Sequence, residues 1–144
     1  MPLHKFGGSA LLSAVYTRLT GAGWAAAMPG VTAYTVYNYA PASASFPYVM
    51  IGGMIGGKSA DWTSRDIKGE DLVIHAHVWS SYQGDGEASA MMNNIVQAIT
   101  GTDLSITGYT TLKGIPDFEQ ILIDATDPNA LLRHGVIRFR FQIA

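Results

Sequence analysis

Residues 52–59 read GGMIGGKS, which matches G-x-x-x-x-G-K-[ST], the pattern whose backbone amides and lysine cradle nucleotide phosphates. It directly follows the strand-like PYVMI. Such a loop works where its lysine opens a helix inside a parallel βαβ unit, so that the helix N-terminus faces the anion. The residues that follow, ADWTSRDIKGED, carry no apolar stripe and several weak helix formers. The next strand then arrives without a helical crossover, which describes a long hairpin. QILID (120–124) imitates a hydrophobic strand ending in a magnesium-binding aspartate, but by its order it belongs to a C-terminal hairpin. Glycine is 16 of 144 residues, so short glycine patterns arise from composition. We read Gly52–Gly69 as a flexible glycine-rich connection that binds no nucleotide.

Two other constellations could carry chemistry. His75 and His77 are two apart on a strand, so both rings leave one face, as strand-borne metal ligands do. A third ligand would have to come from His134, Glu70 or Glu119; the competing reading packs the imidazoles beside Trp79 on a half-exposed face. Ser80, His77 and Asp85 could be assembled into a hydrolytic trio, but there is no G-x-S-x-G elbow and no carboxylate pair whose spacing forces it together. The expectation is a protein that is no enzyme, with no catalytic residue, cofactor or metal. Arg133, His134, Arg138 and Arg140 form the one local basic cluster. Arg138 and Arg140 share a strand face, where they could touch a phosphate backbone, pair with acids of a neighbouring subunit, or stay solvated.

The elements that position these residues follow from periodicity. Leu11, Leu12, Val15, Tyr16 and Leu19 make the apolar stripe of a helix over about 8–20, stopped at Gly21 and Gly23. VTAYTVYN (31–38) and FPYVMIG (46–52) read as strands, with Pro47 marking a strand start or sheet edge. EDLVIHAHVWSS (70–81) alternates Leu72, Ile74, Ala76 and Val78 against Val73, His75, His77 and Trp79. EASAMMNNIVQAIT is a second helix, with Asp85 at its N-cap, Glu87 in its first turn and the Met91–Met92 pair in the core. YTTLK (109–113), FEQILIDA (118–125) and HGVIRFRFQI (134–143) are read as the closing strands. The order specifies an α+β fold, a mostly antiparallel β-sheet with two α-helices packed on one face, in a single domain over 1–144.

Charge says more about partners than about the fold. Net charge is −2, which gives no electrostatic case for a nucleic-acid or membrane surface. The charged fraction is 14%, against roughly 25% in ordinary soluble domains. With 48% hydrophobic residues and a mean hydropathy of +0.16, a chain this small lacks the charges to cover its own surface. Self-association or assembly is therefore expected. The chain has no cysteine, and no apolar run approaches the ~18 residues needed to cross a bilayer. The N-terminal stretch reads as a mature helix, because Arg18 interrupts any signal-peptide pattern, and a soluble, intracellular protein is expected.

FPYVMIG at 46, DWTSRDIKGEDLVIHAHVWS at 61 and LLRHGVIRFRFQI at 131 stand in an order and spacing that resemble the tail-terminator, or tail-completion, proteins of long-tailed bacteriophages and gene transfer agents. The likeness extends to LLSAVYTRLT and covers nearly the whole chain, while GGMIGG is longer and richer in glycine than the family pattern. The resemblance implies a structural virion protein of the tail neck, assembled in the bacterial host cytoplasm. It would form a ring, typically a hexamer, that caps the tail tube, stops its polymerisation and docks the head connector. The implied partners are the protein itself, the tail tube protein and the head connector, with DNA passing through the lumen as a further contact. Another neck or minor tail component of similar fold, or a small metal- or nucleotide-dependent enzyme, is the competing reading. The loop 53–68 suits a docking surface that orders on contact. Met54, Ile55, Lys58, Trp62, Arg65, Arg138 and Arg140 are the candidate assembly residues.

Overall fold

The computed structural model describes residues 7–21, 34–39, 41–58, 69–82, 84–101, 104–106, 108–109, 111–124 and 131–143. Strand β3 (Glu70–Ser80) is buried at every second residue, and the alternation read in the sequence sets the two faces of the whole sheet. Leu72, Ile74, Ala76 and Val78 point into the core. They are continued by Ile137, Phe139, Phe141 and Ile143 of β5 (Leu132–Ile143), which pairs antiparallel with β3 from end to end. Five strands lie in the order β1-β2-β3-β5-β4. Every neighbouring pair is antiparallel except β1 (Thr35–Tyr37), which runs parallel to β2 (Tyr48–Lys58) over Tyr48–Met50.

Helices α1 (Gly8–Thr20) and α2 (Gly86–Thr100) cover the apolar face, giving the expected α+β arrangement. In α1, Leu11, Val15 and Leu19 recur at helical spacing and are fully buried, whereas Tyr16, expected in the same stripe, lies exposed. The N-cap amide of α1 is held from outside the helix. Gly7 N–H donates to the buried carboxylate of Glu70 at 2.8 Å, placing an acceptor and a carboxylate at the positive helix end. Arg18, in the last turn of α1, donates to the carbonyl of Ala98 at 2.8 Å and so ties the two helices together.

In α2, Ala88, Met91, Met92, Ile95 and Ile99 are buried at helical spacing while Val96, read in the same stripe, is half-buried; one polar side chain, Asn94, is buried with them. Asn94 is satisfied by the Tyr34 hydroxyl, which donates to its Oδ1 at 2.5 Å; burial pushes the Tyr34 phenol up to about 12. Asp85 stands at the N-cap position but makes no capping hydrogen bond. Its carboxylate accepts from Arg133 Nε at 2.8 Å, so a pairing distant in sequence displaces the expected local cap.

Two strands depart from the sequence reading. β2 does not end at Gly52: it continues to Lys58, so residues 53–58 of the expected loop are strand. Pairing with β3 overrides the low strand preference of the glycines, from Tyr48↔Trp79 through to Lys58↔Glu70. A bulge between Gly52 and Ile55 takes up an extra residue there. Gly53 carries it with a φ of 64°, and a Cβ at Gly53 would come within 3.0 Å of the His75 ring. Likewise YTTLK and FEQILIDA, expected as separate strands, merge into β4 (Thr111–Asp124). Pro116 is tolerated because β4 is at the sheet edge, where a proline can lack its ladder donor, and a bulge follows it. Gly114 is equally specified, since the Phe141 ring occupies the place of a Cβ, 2.5 Å away.

Candidate assembly interface

The sheet face opposite the helices carries His75, His77, His134, Arg138 and Arg140 of the residues that the sequence singled out. Because residues directly opposite in the ladder share a face, the register lines them up in rows. Tyr48, Trp79, His134 and Leu122 form one row, and Met50, His77, Val136 and Gln120 form the next. His75, Arg138 and Phe118 follow, then Val73, Arg140 and Ile115. One end of the face is aromatic and the other charged. A solvated antiparallel sheet face ordinarily alternates to polar residues; this one presents rings and aliphatic side chains over much of its area, with Arg138 and Arg140 towards one end.

The rings stack on one another. Phe46 stacks on Tyr48 with centroids 5.4 Å apart, and Tyr48 lies 6.4 Å from Trp79. Trp79 and His134 are nearly coplanar-stacked, at 3.9 Å and 6°. His134 continues to His77 at 5.1 Å, and His77 to His75 at 6.1 Å. The His75 and His77 rings therefore do share a face, and His134 joins them. One nitrogen of each ring, however, is engaged in a hydrogen bond within the chain. His77 Nδ1 and His134 Nε2 are 2.9 Å apart, one donating and one accepting, while His75 Nδ1 donates to the Gly53 carbonyl at 2.9 Å. Among the described residues no group of three His, Cys, Asp or Glu side chains converges for a metal. Glu70 and Glu119, the other ligand candidates, stand opposite Ile143 and Ile137 on the helix-facing side. Burial, then the neighbouring His134 and His75, holds His77 below the ordinary imidazole range. Burial also lowers His134, against an opposing pull from Asp124.

The other chemical constellations are not assembled. Ser80 is on the buried face and donates to Glu87 at 2.8 Å, whereas His77 is on the open face and Asp85 is bound to Arg133. GGMIGGK is extended strand paired along β3, with none of the curl that would wrap a phosphate. Arg138 and Arg140 share the open face as expected, and both find acids within the chain. Arg138 Nε donates to Asp117 Oδ1 at 2.8 Å with its guanidinium 5.8 Å over the Phe118 ring, and Arg140 Nη2 lies 3.7 Å from Asp71 Oδ2. Of the remaining candidate assembly residues, Met54, Ile55 and Lys58 fall within β2, while Trp62 and Arg65 lie outside the described residues.

A sheet face of stacked rings that leaves aromatic and aliphatic side chains partly exposed fits a binding role. A family model described as Tail completion protein gp17 matches residues 13–144. The chain belongs to this family. As a tail completion protein it has a structural part in a virion's tail region, consistent with the resemblance carried by the three sequence stretches. Comparison with curated proteins finds no match. Among solved structures, a chain from the virion of a native gene transfer agent particle superposes with a TM-score of 0.76 at 19% identity, covering 97% of this chain and 98% of that one. The gp17 protein of bacteriophage SPP1 superposes with a TM-score of 0.57 at 22% identity, covering 95% of this chain and 91% of that one. At these identities the superpositions establish a shared fold.

Proposed function

We propose that the protein is a tail terminator: a ring, most simply a hexamer, that caps the tail tube, stops its polymerisation and forms the joint to the head connector. The observation that carries this reading is the family match over residues 13–144. The charged fraction of 14% and the apolar open face support it, since a subunit completed by neighbours can leave such surface to them. It acts by binding alone, as one domain over 1–144, with assembly in the host cytoplasm before incorporation into the particle. Its partners are further copies, the tube protein and the connector. The segment containing Met54, Ile55, Lys58, Trp62 and Arg65 meets one of them, and Arg138 and Arg140 contribute from the open face.

Removing the protein from a producing cell tests the reading. Electron microscopy is expected to show tubes of uncontrolled length and heads without tails. Tubes of normal length with heads unattached would assign the protein to another part of the neck, and normal particles would overturn the proposal. Trp62→Ala is expected to impair head–tail joining while leaving the thermal midpoint unchanged; equal losses in both would remove Trp62 from the interface.

A further inference from the structure

The two margins of the sheet are unlike. β4 is an edge strand, and past its bulge the segment Phe118–Asp124 keeps regular register with β5. Leu122 and Ile123 on this margin are 43% and 60% exposed, beside the acids Asp117, Glu119 and Asp124. A groove between α2 and β4, lined by Met92, Asn93, Val96, Glu119 and Ile121, runs along it and could receive side chains of an added strand. At the other margin, among the described residues, β1 covers only Tyr48–Met50, and β2 from Ile51 to Lys58 has β3 as its neighbour. Tyr39 is 84% exposed beside it. No charged residue occurs between Arg18 and Lys58, so among the described residues this margin carries, before Lys58, none of the charges with which soluble proteins keep strand edges apart.

We propose that copies of this chain join edge to edge, with Phe118–Asp124 of one copy pairing against the β1–β2 margin of the next to extend one sheet across subunits. This rests on the ring reading and specifies the contact that builds it. The strand directions suit it. β3 and β4 run opposite to β1, β2 and β5, so copies related by rotation about an axis along the strands bring β4 antiparallel to β1 and β2. The contact joins two different patches, the type of interface that closes into rings. Charge selects this partner over a two-fold β4–β4 contact. Two β4 margins would bring two acid-bearing edges together, with the exposed Glu119 of each copy in the contact and Asp117 partly offset by its own Arg138, whereas the opposite margin, among the described residues, offers an uncharged edge ending in the cation Lys58. Backbone hydrogen bonds supply the affinity, as in other strand additions.

The cysteine-free sequence makes cross-linking clean. Thr35→Cys on β1 and Leu122→Cys on β4 are treated singly and together with a flexible bismaleimide, in the purified protein and in assembled tails. The double variant is expected to give a ladder of covalent multimers, and each single variant none. Covalent dimers from Leu122→Cys alone would overturn the inference in favour of a two-fold contact. No ladder from a sample whose native mass and micrographs show rings would also overturn it, leaving the ring reading intact. Monomers both in solution and on tails would end both. As a second arm, Leu122→Lys with Ile123→Lys is expected to keep the wild-type thermal midpoint and lose the multimers; undiminished assembly would count against the edge contact.

Discussion

Leu72, Ile74, Ala76 and Val78 alternate along β3 with Val73, His75, His77 and Trp79, yet the two sets lead different lives. The first is sealed under α1 and α2 among aliphatic and phenyl side chains. The second is half-buried by its own neighbours, ring on ring, without a layer above it among the described residues. One face is thus complete within the chain, and the other is only as covered as flat side chains on a sheet can make one another. Burial of the first kind carries folding; burial of the second kind leaves apolar area for another molecule to cover.

Substitutions on the two faces test that division. Phe139→Ala, on the sealed face, is expected to lower unfolding free energy by about 3–5 kcal/mol, read by guanidinium denaturation. A loss below about 1 kcal/mol would mean that this face is not the core. Asn94→Ala strands the buried Tyr34 hydroxyl and is expected to cost about 1–3 kcal/mol, with Tyr34→Phe in the same background restoring part of it. Failure of that rescue would remove the hydrogen bond as the cause. Trp79→Ala, on the open face, is expected to cost about 1 kcal/mol through lost stacking on His134, with a larger effect on assembly than on folding.

Acid provides a graded version of the same comparison. His77 and His134 are held below the ordinary imidazole value, so the unfolded chain binds more protons than the native one below pH ~6.5. Their contribution is complete above that pH, declines as pH falls through it, and the loss levels off below the native pKa values. His77→Gln is therefore expected to lose less stability than the wild type between pH 7.5 and 5.5; parallel losses would contradict the assignment. The smallest effect is expected for Arg140→Ala, whose half-exposed, 3.7 Å pairing with Asp71 contributes under about 1 kcal/mol. A larger destabilisation would show that the charged end of the open face supports the fold itself.

The legible parts of the fold are those written in short-range periodicity. The two faces of β3, the buried stripes of α1 and α2 and the alternation of β5 were all readable, because each depends on residues two to four apart. The extension of β2 and the merging of β4 were not. The glycines at 52, 53, 56 and 57 and the proline at 116 speak locally against a strand, and a partner strand far along the chain outweighs them. The same limit applies to the open face. That Arg138 and Arg140 share a side follows from strand geometry; that Asp117 and Asp71 reach them depends on register, which no spacing reveals. His134 could be suspected beside His77, but its stacking on Trp79 and its shared hydrogen required the β3–β5 ladder. Asp85 looked like a helix cap because nothing nearby announces Arg133.

The bulge in β2 also makes that strand tolerant of a change that strands usually resist. Gly53 and Met54 together stand opposite the single residue Ile74, so the segment holds one spare residue. Deleting Gly53 would let the ladder close up with Ile55 still across from Val73 and Lys58 still across from Glu70. Deleting Ile51 instead would turn part of the strand over, exchanging inside for outside. A shortening by one residue is thus benign at one place and disruptive two positions away, with the kink and the His75 bond to Gly53 forfeited in the benign case.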